Sequence, residues 1–338
     1  MKFFIMFSTL IFLGCSTTHK IDRNDITAPY DGKRFSNLDN STDKTFWDVW
    51  KWRLTSKKTA WPEWVETEQQ TISHERVSGL SVTFINHSTF LIQTDNLNIL
   101  TDPFFSYRAS PFTWIGPKRV RDVGVRMEDL PPIDIILVSH NHYDHMDKPA
   151  LKKLNKLFPD AVVYTALGNA NDIKETGYRN VNELDWWEKT EYMGLTITFV
   201  PAKHFSARTL WDRNETLWGG FVLKGHGGNI YFAGDTAKVE HDTTLAEQFG
   251  EFELALIPIG AYEPRWFMKT SHTNPEEAVA IHKEINSNFS IGMHFGTVQL
   301  TDEGIDEPAN GLVKARSNAG LAETDFIVPE FGQTYRLR

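Results

Sequence analysis

Three histidines and an aspartate fall within six consecutive positions, as His140, His142, Asp144 and His145, directly after the apolar residues Ile133, Ile135, Ile136, Leu137 and Val138. A short apolar run of this kind reads as a strand buried on both faces. The donors therefore begin where a strand interior to a sheet gives way to a loop, and loops at strand ends are where α/β proteins place function. In extended chain His140 and His142 share a face, and the turn that follows can bring Asp144 and His145 back beside them. One loop then offers four donors, enough to serve two adjacent metals. Neutral imidazole and carboxylate suit zinc, iron or manganese, and the remaining ligands have to come from elsewhere in the fold.

Strand patterns recur at 80–85, 90–94, 97–101, 134–139, 161–165, 195–200, 220–223, 230–233, 254–258 and 290–294, with helical patterns between them. Asp147-Lys148-Pro149 predicts a helix start, with Asp as cap and Pro in the first turn, and Asn274-Pro275-Glu276-Glu277 does the same for 278–285. Three strands lead to another donor: 196–200 runs to His204, 230–233 runs through Gly234 to Asp235, and 291–293 runs to His294. Together with the first cluster these make five histidines and two aspartates, drawn from four strand ends on one side of a sheet system.

A chain of 338 residues with 41% hydrophobic and 23% charged residues is long enough for a large core, and no repeat or low-complexity linker divides it. The net charge of -9 argues against a nucleic-acid partner, and the local Lys118, Arg119 and Arg121 read as a solvated loop. The start differs in kind: Met1-Lys2 is followed by a nearly unbroken apolar run to Leu13, then Gly14-Cys15, the pattern of a secretory signal. Cys15 is the only cysteine, so no disulfide forms within the chain and no thiolate serves as a ligand. Phe12-Leu13-Gly14-Cys15 resembles a bacterial lipoprotein processing site, although Phe12 departs from the usual Leu. The expectation is an exported protein lipidated at Cys15; Ser16, lacking the character of an inner-membrane retention signal, points to the outer membrane, facing the periplasm. Further on, Phe46, Trp47, Trp50 and Trp52 interleave with Lys51, and Trp61 and Trp64 follow. Such a stretch suits a membrane interface or an arm packing its rings on the core, and both stay open.

The order and spacing of the seven donors resemble the metallo-β-lactamase superfamily. The resemblance implies an α/β fold, an αββα four-layer sandwich with a binuclear site at one edge. It also implies that His140, His142 and His204 hold one divalent ion, that Asp144, His145 and His294 hold the other, and that Asp235 bridges them. Longer motifs narrow the match: Arg108-Ala109-Ser110-Pro111, Gly116-Pro117-Lys118-Arg119, Leu130-Pro131-Pro132-Ile133-Asp134, Glu183-Leu184-Asp185-Trp186-Trp187, Phe232-Ala233-Gly234-Asp235-Thr236 and, above all, Pro258-Ile259-Gly260-Ala261-Tyr262-Glu263-Pro264-Arg265-Trp266-Phe267-Met268. These resemble the N-acylphosphatidylethanolamine-hydrolysing phospholipase D family, from about Tyr30 to the C-terminus. Asn86, Ala237, Phe295 and Ser271 depart from that family's pattern; the metal ligands are untouched, and the differences bear on substrate recognition. The implied organisation is a signal over 1–15, a spacer and N-terminal arm over 16–45, and a hydrolase domain over 46–338.

The implied activity is cleavage of a phospholipid phosphodiester to N-acylethanolamine and phosphatidic acid. Two ions, zinc being the expected metal, lower the pKa of a shared water and hold the hydroxide for in-line attack on phosphorus. Asp235 and Asp144 hold the metals, with Asp235 accepting the water proton, and His272 contacts the phosphate or assists the leaving alkoxide; alternatively His272 merely enters the helix at Asn274. Ser271, Tyr262 and Arg265 are candidate substrate contacts, with Arg265 facing phosphate or pairing with Glu263. His87 supports the site from behind or caps a turn. His19, His74, His226, His241 and His282 read as structural or surface residues. The expected partners are the phospholipid and a membrane surface, and a homodimer is admitted. Rival readings are a lactonase or other ester or amide hydrolase of the same fold, and a non-catalytic metal-binding lipoprotein.

Overall fold

The computed structural model describes residues 21, 23, 25–39, 44–239 and 243–337; the expected signal segment with Cys15 lies outside the described residues, as do His19 and His241. In chain order the elements are α1 (Phe46–Thr55), β1 (Leu80–Asn86), β2 (Thr89–Thr94), β3 (Leu97–Thr101), β4 (Ile135–Val138), α2 (Lys148–Leu157), β5 (Val162–Ala166), α3 (Ala170–Lys174), β6 (Val181–Leu184), β7 (Lys189–Tyr192), β8 (Leu195–Val200), β9 (Gly220–Gly225), β10 (Gly228–Phe232), α4 (Thr243–Phe249), β11 (Leu254–Pro258), α5 (Arg265–Met268), α6 (Pro275–Glu284), β12 (Ser290–Met293), α7 (Glu307–Asn318), β13 (Phe326–Ile327) and β14 (Thr334–Arg336). Every strand expected from the sequence forms, with ends shifted by no more than two residues. The polar, partly exposed β6 and β7 and the short β13 and β14 were not expected, because the first two carry no apolar run and the last two are only two and three residues long.

The strands make two seven-stranded sheets, in the orders β14-β1-β2-β3-β4-β5-β6 and β13-β12-β11-β10-β9-β8-β7. Alternation along the first sheet assigns its two faces. Val82, Phe84, Phe90, Ile92, Ile99, Ile135 and Leu137 join the core between the sheets, together with Phe199, Phe221 and Leu256 of the second. Ile85, Leu91, Leu100, Ile136 and Val138 point the other way, onto Leu151 and Leu154 of α2 and Ile173 of α3. Both faces are apolar because both are covered, which is why these strands read as continuous runs. On the outside of the second sheet α6 packs against β11 and α7. The architecture is the expected αββα sandwich.

Both predicted helix starts are capped. The Asp147 carboxylate accepts from Ala150 N–H at 3.0 Å, and Asn274 forms a reciprocal capping box with Glu277. The N-terminal arm joins the body as well, for Ala28 and Phe35 are buried in the same large apolar cluster. Part of the aromatic stretch packs its rings on the body. Trp52 stacks on Phe267 at 5.0 Å and Trp61 Nε1 donates to the Glu303 carbonyl at 2.8 Å, while Trp47 and Trp50 stay exposed. No helix among the described residues is long and apolar enough to cross a membrane.

Strand direction explains why the donors meet. β3, β4 and β5 are parallel in one sheet and β10, β11 and β12 in the other. β8 is two antiparallel steps from β10, and β1 is two antiparallel steps from β3, so each runs with the parallel set of its sheet. Within each sheet, the loops after those strands therefore leave from one edge, and the expected metal ligands lie where the two edges face each other.

Candidate metal centre

All seven expected ligands converge. His140, His142, His204 and Asp235 form one group of donor atoms and Asp144, His145 and His294 another, joined by His87, with the atoms of each group within 4.8 Å of one another. Asp235 Oδ2 links the two: it lies 3.5 Å from His204 Nε2, 3.9 Å from His140 Nε2, 3.2 Å from His145 Nε2 and 3.2 Å from His294 Nε2. Asp144 Oδ2 stands 3.4 Å from both His145 Nε2 and His294 Nε2. Donors held about 2.1 Å from a zinc ion at tetrahedral angles are about 3.4 Å apart, so most of these separations are the edges of a coordination polyhedron.

The residues behind the cluster fix which nitrogen faces inward. His145 Nδ1 donates to Asp102 Oδ2 at 2.7 Å, and His204 Nδ1 donates to the Ser271 carbonyl at 2.9 Å. The Ser139 hydroxyl donates to Asp102 at 2.6 Å and accepts from His140 Nδ1 at 2.9 Å. Each outer nitrogen thus carries a proton and each Nε2 is turned inward, where it can offer its lone pair to a metal, the usual way a metal-binding histidine is oriented. His142 presents Nδ1 instead, 2.8 Å from His140 Nε2 and 3.3 Å from His204 Nε2.

Burial and charge fit a cation. Burial holds His140 and His204 well below the ordinary histidine range and His142 at about 4, so these rings are neutral donors at physiological pH. Burial also opposes charge on His145 and His294, but Asp235 and Asp144 outweigh it, with Asp102 added at His145; His145 is held well above its ordinary range and His294 at about 9. Burial likewise opposes ionisation of Asp144 and Asp235, and His145 above all overcomes it, holding both carboxyls well below their ordinary range. The two carboxylates call for positive charge, which a divalent ion supplies while displacing those protons. His145 Nε2, His294 Nε2 and Asp235 Oδ1 are buried without a hydrogen-bond partner. Buried polar atoms are rarely left so, and coordination to a cation answers all three.

The backbone around the cluster is bent to purpose. His87, Asp102, Gly234 and His294 have φ of 48°, 30°, 60° and 61°, the left-handed region that ordinary residues avoid. At Gly234 a Cβ would stand 2.7 Å from the Gly219 carbonyl oxygen and 2.8 Å from Ser139 Cβ, so only glycine brings Asp235 this close to the loop that follows β4.

The candidate substrate contacts fare differently. His272 is at the cluster, its Nδ1 4.0 Å from Asp235 Oδ2 and without a hydrogen-bond partner; burial holds it at about 3, hence neutral. Ser271 acts through its backbone carbonyl, on His204. Tyr262 is nearly buried, and burial with Glu303 raises its phenol, so it stands there un-ionised. Arg265 is a correction. Its guanidinium holds both oxygens of Glu277 at 2.9 and 2.8 Å and the His272 carbonyl at 3.0 Å, while Glu263 takes only the Arg265 backbone N–H at 2.9 Å. Its charge is paired with Glu277, not with the expected Glu263, and it braces the His272 segment.

Sequence reasoning missed three supports. Asp102 follows a strand in Thr101-Asp102-Pro103, the same strand-end signal that exposed the ligands. Asn37 grips the His204 backbone, accepting from its N–H at 3.1 Å and donating to its carbonyl at 2.7 Å. Arg208 bonds the carbonyls of Asn141 and Met146 at 2.6 and 2.9 Å, clamping the ligand loop from outside; neither of these two has a local sequence signal.

Residues 97–295 match the model of the family described as the Beta-lactamase superfamily domain. The N-acyl-phosphatidylethanolamine-hydrolyzing phospholipase D 1 of Caenorhabditis elegans is 39% identical over 270 residues, covering 76% of this chain and 76% of that protein. The mitochondrial N-acyl-phosphatidylethanolamine-hydrolyzing phospholipase D of Saccharomyces cerevisiae is 36% identical over 260 residues, 75% of this chain and 55% of the yeast protein. Among solved structures, Igni18, a metallo hydrolase of Ignicoccus hospitalis, superposes with a TM-score of 0.57 at 21% identity, covering 76% of this chain and 97% of that one. With its sandwich and its convergent histidines and aspartates, this chain belongs to the metallo-β-lactamase superfamily and is one of its metal-dependent hydrolases.

Proposed function

We propose that the protein is a binuclear zinc phosphodiesterase of phospholipase D type, cleaving N-acylphosphatidylethanolamine-like lipids to N-acylethanolamine and phosphatidic acid. The observation that carries this is the sharing of Asp235 Oδ2 between two groups of imidazole and carboxylate donors. The choice of substrate is supported by the names of the nematode and yeast relatives and by the Pro258 to Met268 segment. Divalent ions held by those donors would activate water and offset charge on the phosphoryl oxygens. Asp235, its Oδ2 shared by the two donor groups, would keep them in register and, as the carboxylate between them, would take up the water proton. His272, neutral and turned toward Asp235, serves a phosphoryl oxygen or the departing alkoxide as a hydrogen-bond donor.

The same reading places the protein at a membrane surface, tethered at Cys15 to the periplasmic face of an outer membrane. In its support, Trp47, Trp50, Trp114, Trp211 and Trp266 are exposed, and Lys51 lies over the Trp266 ring at 4.7 Å, a pairing of cation and indole that suits lipid headgroups. Zinc-loaded protein mixed with phosphatidylcholine vesicles containing N-acylphosphatidylethanolamine should release N-acylethanolamine and phosphatidic acid in equal amounts, identified by mass. His142→Ala and Asp235→Asn should abolish that release with the fold largely kept. Turnover of lactones or carboxylic esters without phosphodiester cleavage would favour the ester or amide hydrolase instead.

A further inference from the structure

His87 occupies, with Ser88, the two-residue turn between β1 and β2, and two costs attach to it. Its φ of 48° is unfavourable for a residue with a side chain, and its Nδ1 is buried without a hydrogen-bond partner. What the position gains is contact with two ligands of one donor group. Its carbonyl accepts from the His294 backbone N–H at 2.8 Å, and its ring lies 4.0 Å from the His294 ring, centroid to centroid. Its Nε2 is 2.9 Å from Asp144 Oδ2. At that distance from a carboxylate oxygen, Nε2–H is the donor. On the other side, the His87 N–H donates to Thr297 Oγ1 at 3.1 Å, tying the turn to the loop beyond His294.

Asp144 needs such a hold. It comes from a loop, and its oxygen has to stay at coordination distance from His145 and His294, whereas His140 and His204 of the other group are oriented by Ser139 and by the Ser271 carbonyl. We propose that His87 is a positioning residue for one of two ions: it fixes Asp144 and the His294 backbone, and so sets occupancy of the Asp144–His145–His294 group without changing the His140–His142–His204 group. The inference rests on the two-ion reading above.

The test is a zinc titration against a chromophoric chelator, with total metal measured on the same samples, for the unaltered protein, His87→Ala, His87→Gln, Asp144→Ala and the His87→Ala/Asp144→Ala pair. Unaltered protein should hold two ions. His87→Ala should keep one at unchanged affinity and bind the other about 10- to 100-fold more weakly. Gln, whose amide N–H reaches the place of Nε2–H, should restore most of the loss, and the double variant should bind no worse than Asp144→Ala alone. Two ions at unchanged affinity in His87→Ala, equal weakening of both ions, or additive losses in the double variant would overturn the proposal. Should His87→Ala fail to fold, His87→Gln decides between the same outcomes against His87→Phe, which fills the space without the donor. A single ion in the unaltered protein would instead sink the two-ion reading itself, whatever the variants do.

Discussion

The carboxylate of Asp102 takes three hydrogen bonds, from the Ser139 N–H, the Ser139 hydroxyl and His145 Nδ1, at 2.7, 2.6 and 2.7 Å. An amide in its place offers one oxygen and presents N–H groups to at least one of those donors, so His145 loses its fixed orientation. Asp102→Asn should therefore weaken metal binding by about 10- to 100-fold, read by chelator competition; unchanged affinity would remove Asp102 from the site. The histidines make the metal-free protein's stability a function of pH from both sides. His87, His142 and His272 are held at about 4, 4 and 3 by burial. The unfolded chain takes up protons there first, so stability is lost as pH falls below 6.5. His294 is raised to about 9; its contribution is fully present below 6.5 and disappears as pH rises through 9. Chelator-treated protein should show a maximum in Tm near pH 6.5. Loading zinc between pH 6.5 and 9 should release protons, measurable by calorimetry in buffers of different ionisation enthalpy, and buffer-independent heats would contradict this charge assignment.

At the scale of elements, the turn after β10 has the least freedom. Gly234→Ala places a methyl against the Gly219 carbonyl oxygen and Ser139 at a φ of 60°, so a loss of about 1–3 kcal/mol in urea unfolding is expected, with hydrolysis falling further because Asp235 moves. Alanine tolerated with full activity would mean that the turn relaxes freely. The buried strands were legible in the sequence because they are covered on both faces, as Ile135 to Val138 shows, and the ligands were legible because each follows such a strand. Arg265 was not, since its partner Glu277 lies on a different element and only packing brings α6 under the Tyr262 loop. Asn37 and Arg208 escaped for the same reason: each acts on a distant backbone carbonyl, which leaves no mark on its own neighbourhood in the chain. β6 and β7 were hidden by their polar, partly exposed sequences at the sheet edges.

Across the whole molecule, the donors divide between the sheets: His140, His142, Asp144 and His145 follow β4 of the first, while His204, Asp235 and His294 follow β8, β10 and β12 of the second. The inter-sheet core is apolar and needs no ion to close, since Phe84, Phe90, Phe199 and Phe221 are fully buried there. At the metal edge the situation is reversed, for two carboxylates and four histidines of the opposed loops are buried together, with His142 half-buried beside them, and the carboxylates call for positive charge. Ions held by these donors would act as a clamp between the sheets at one edge. Ligand that binds only the folded state at a hundred times its Kd adds about 2.7 kcal/mol, and for a domain of this size each kcal/mol moves Tm by about 2–4 °C. Stripping both ions, each contributing that much, should accordingly lower Tm by about 10–20 °C and speed amide exchange in the loops after β4, β8, β10 and β12, with the central strands of both sheets still protected. Exchange that rises uniformly through both sheets would instead make the ions part of the core's own stability, and exchange unchanged at the metal edge would mean that the apolar core alone holds the two sheets in place.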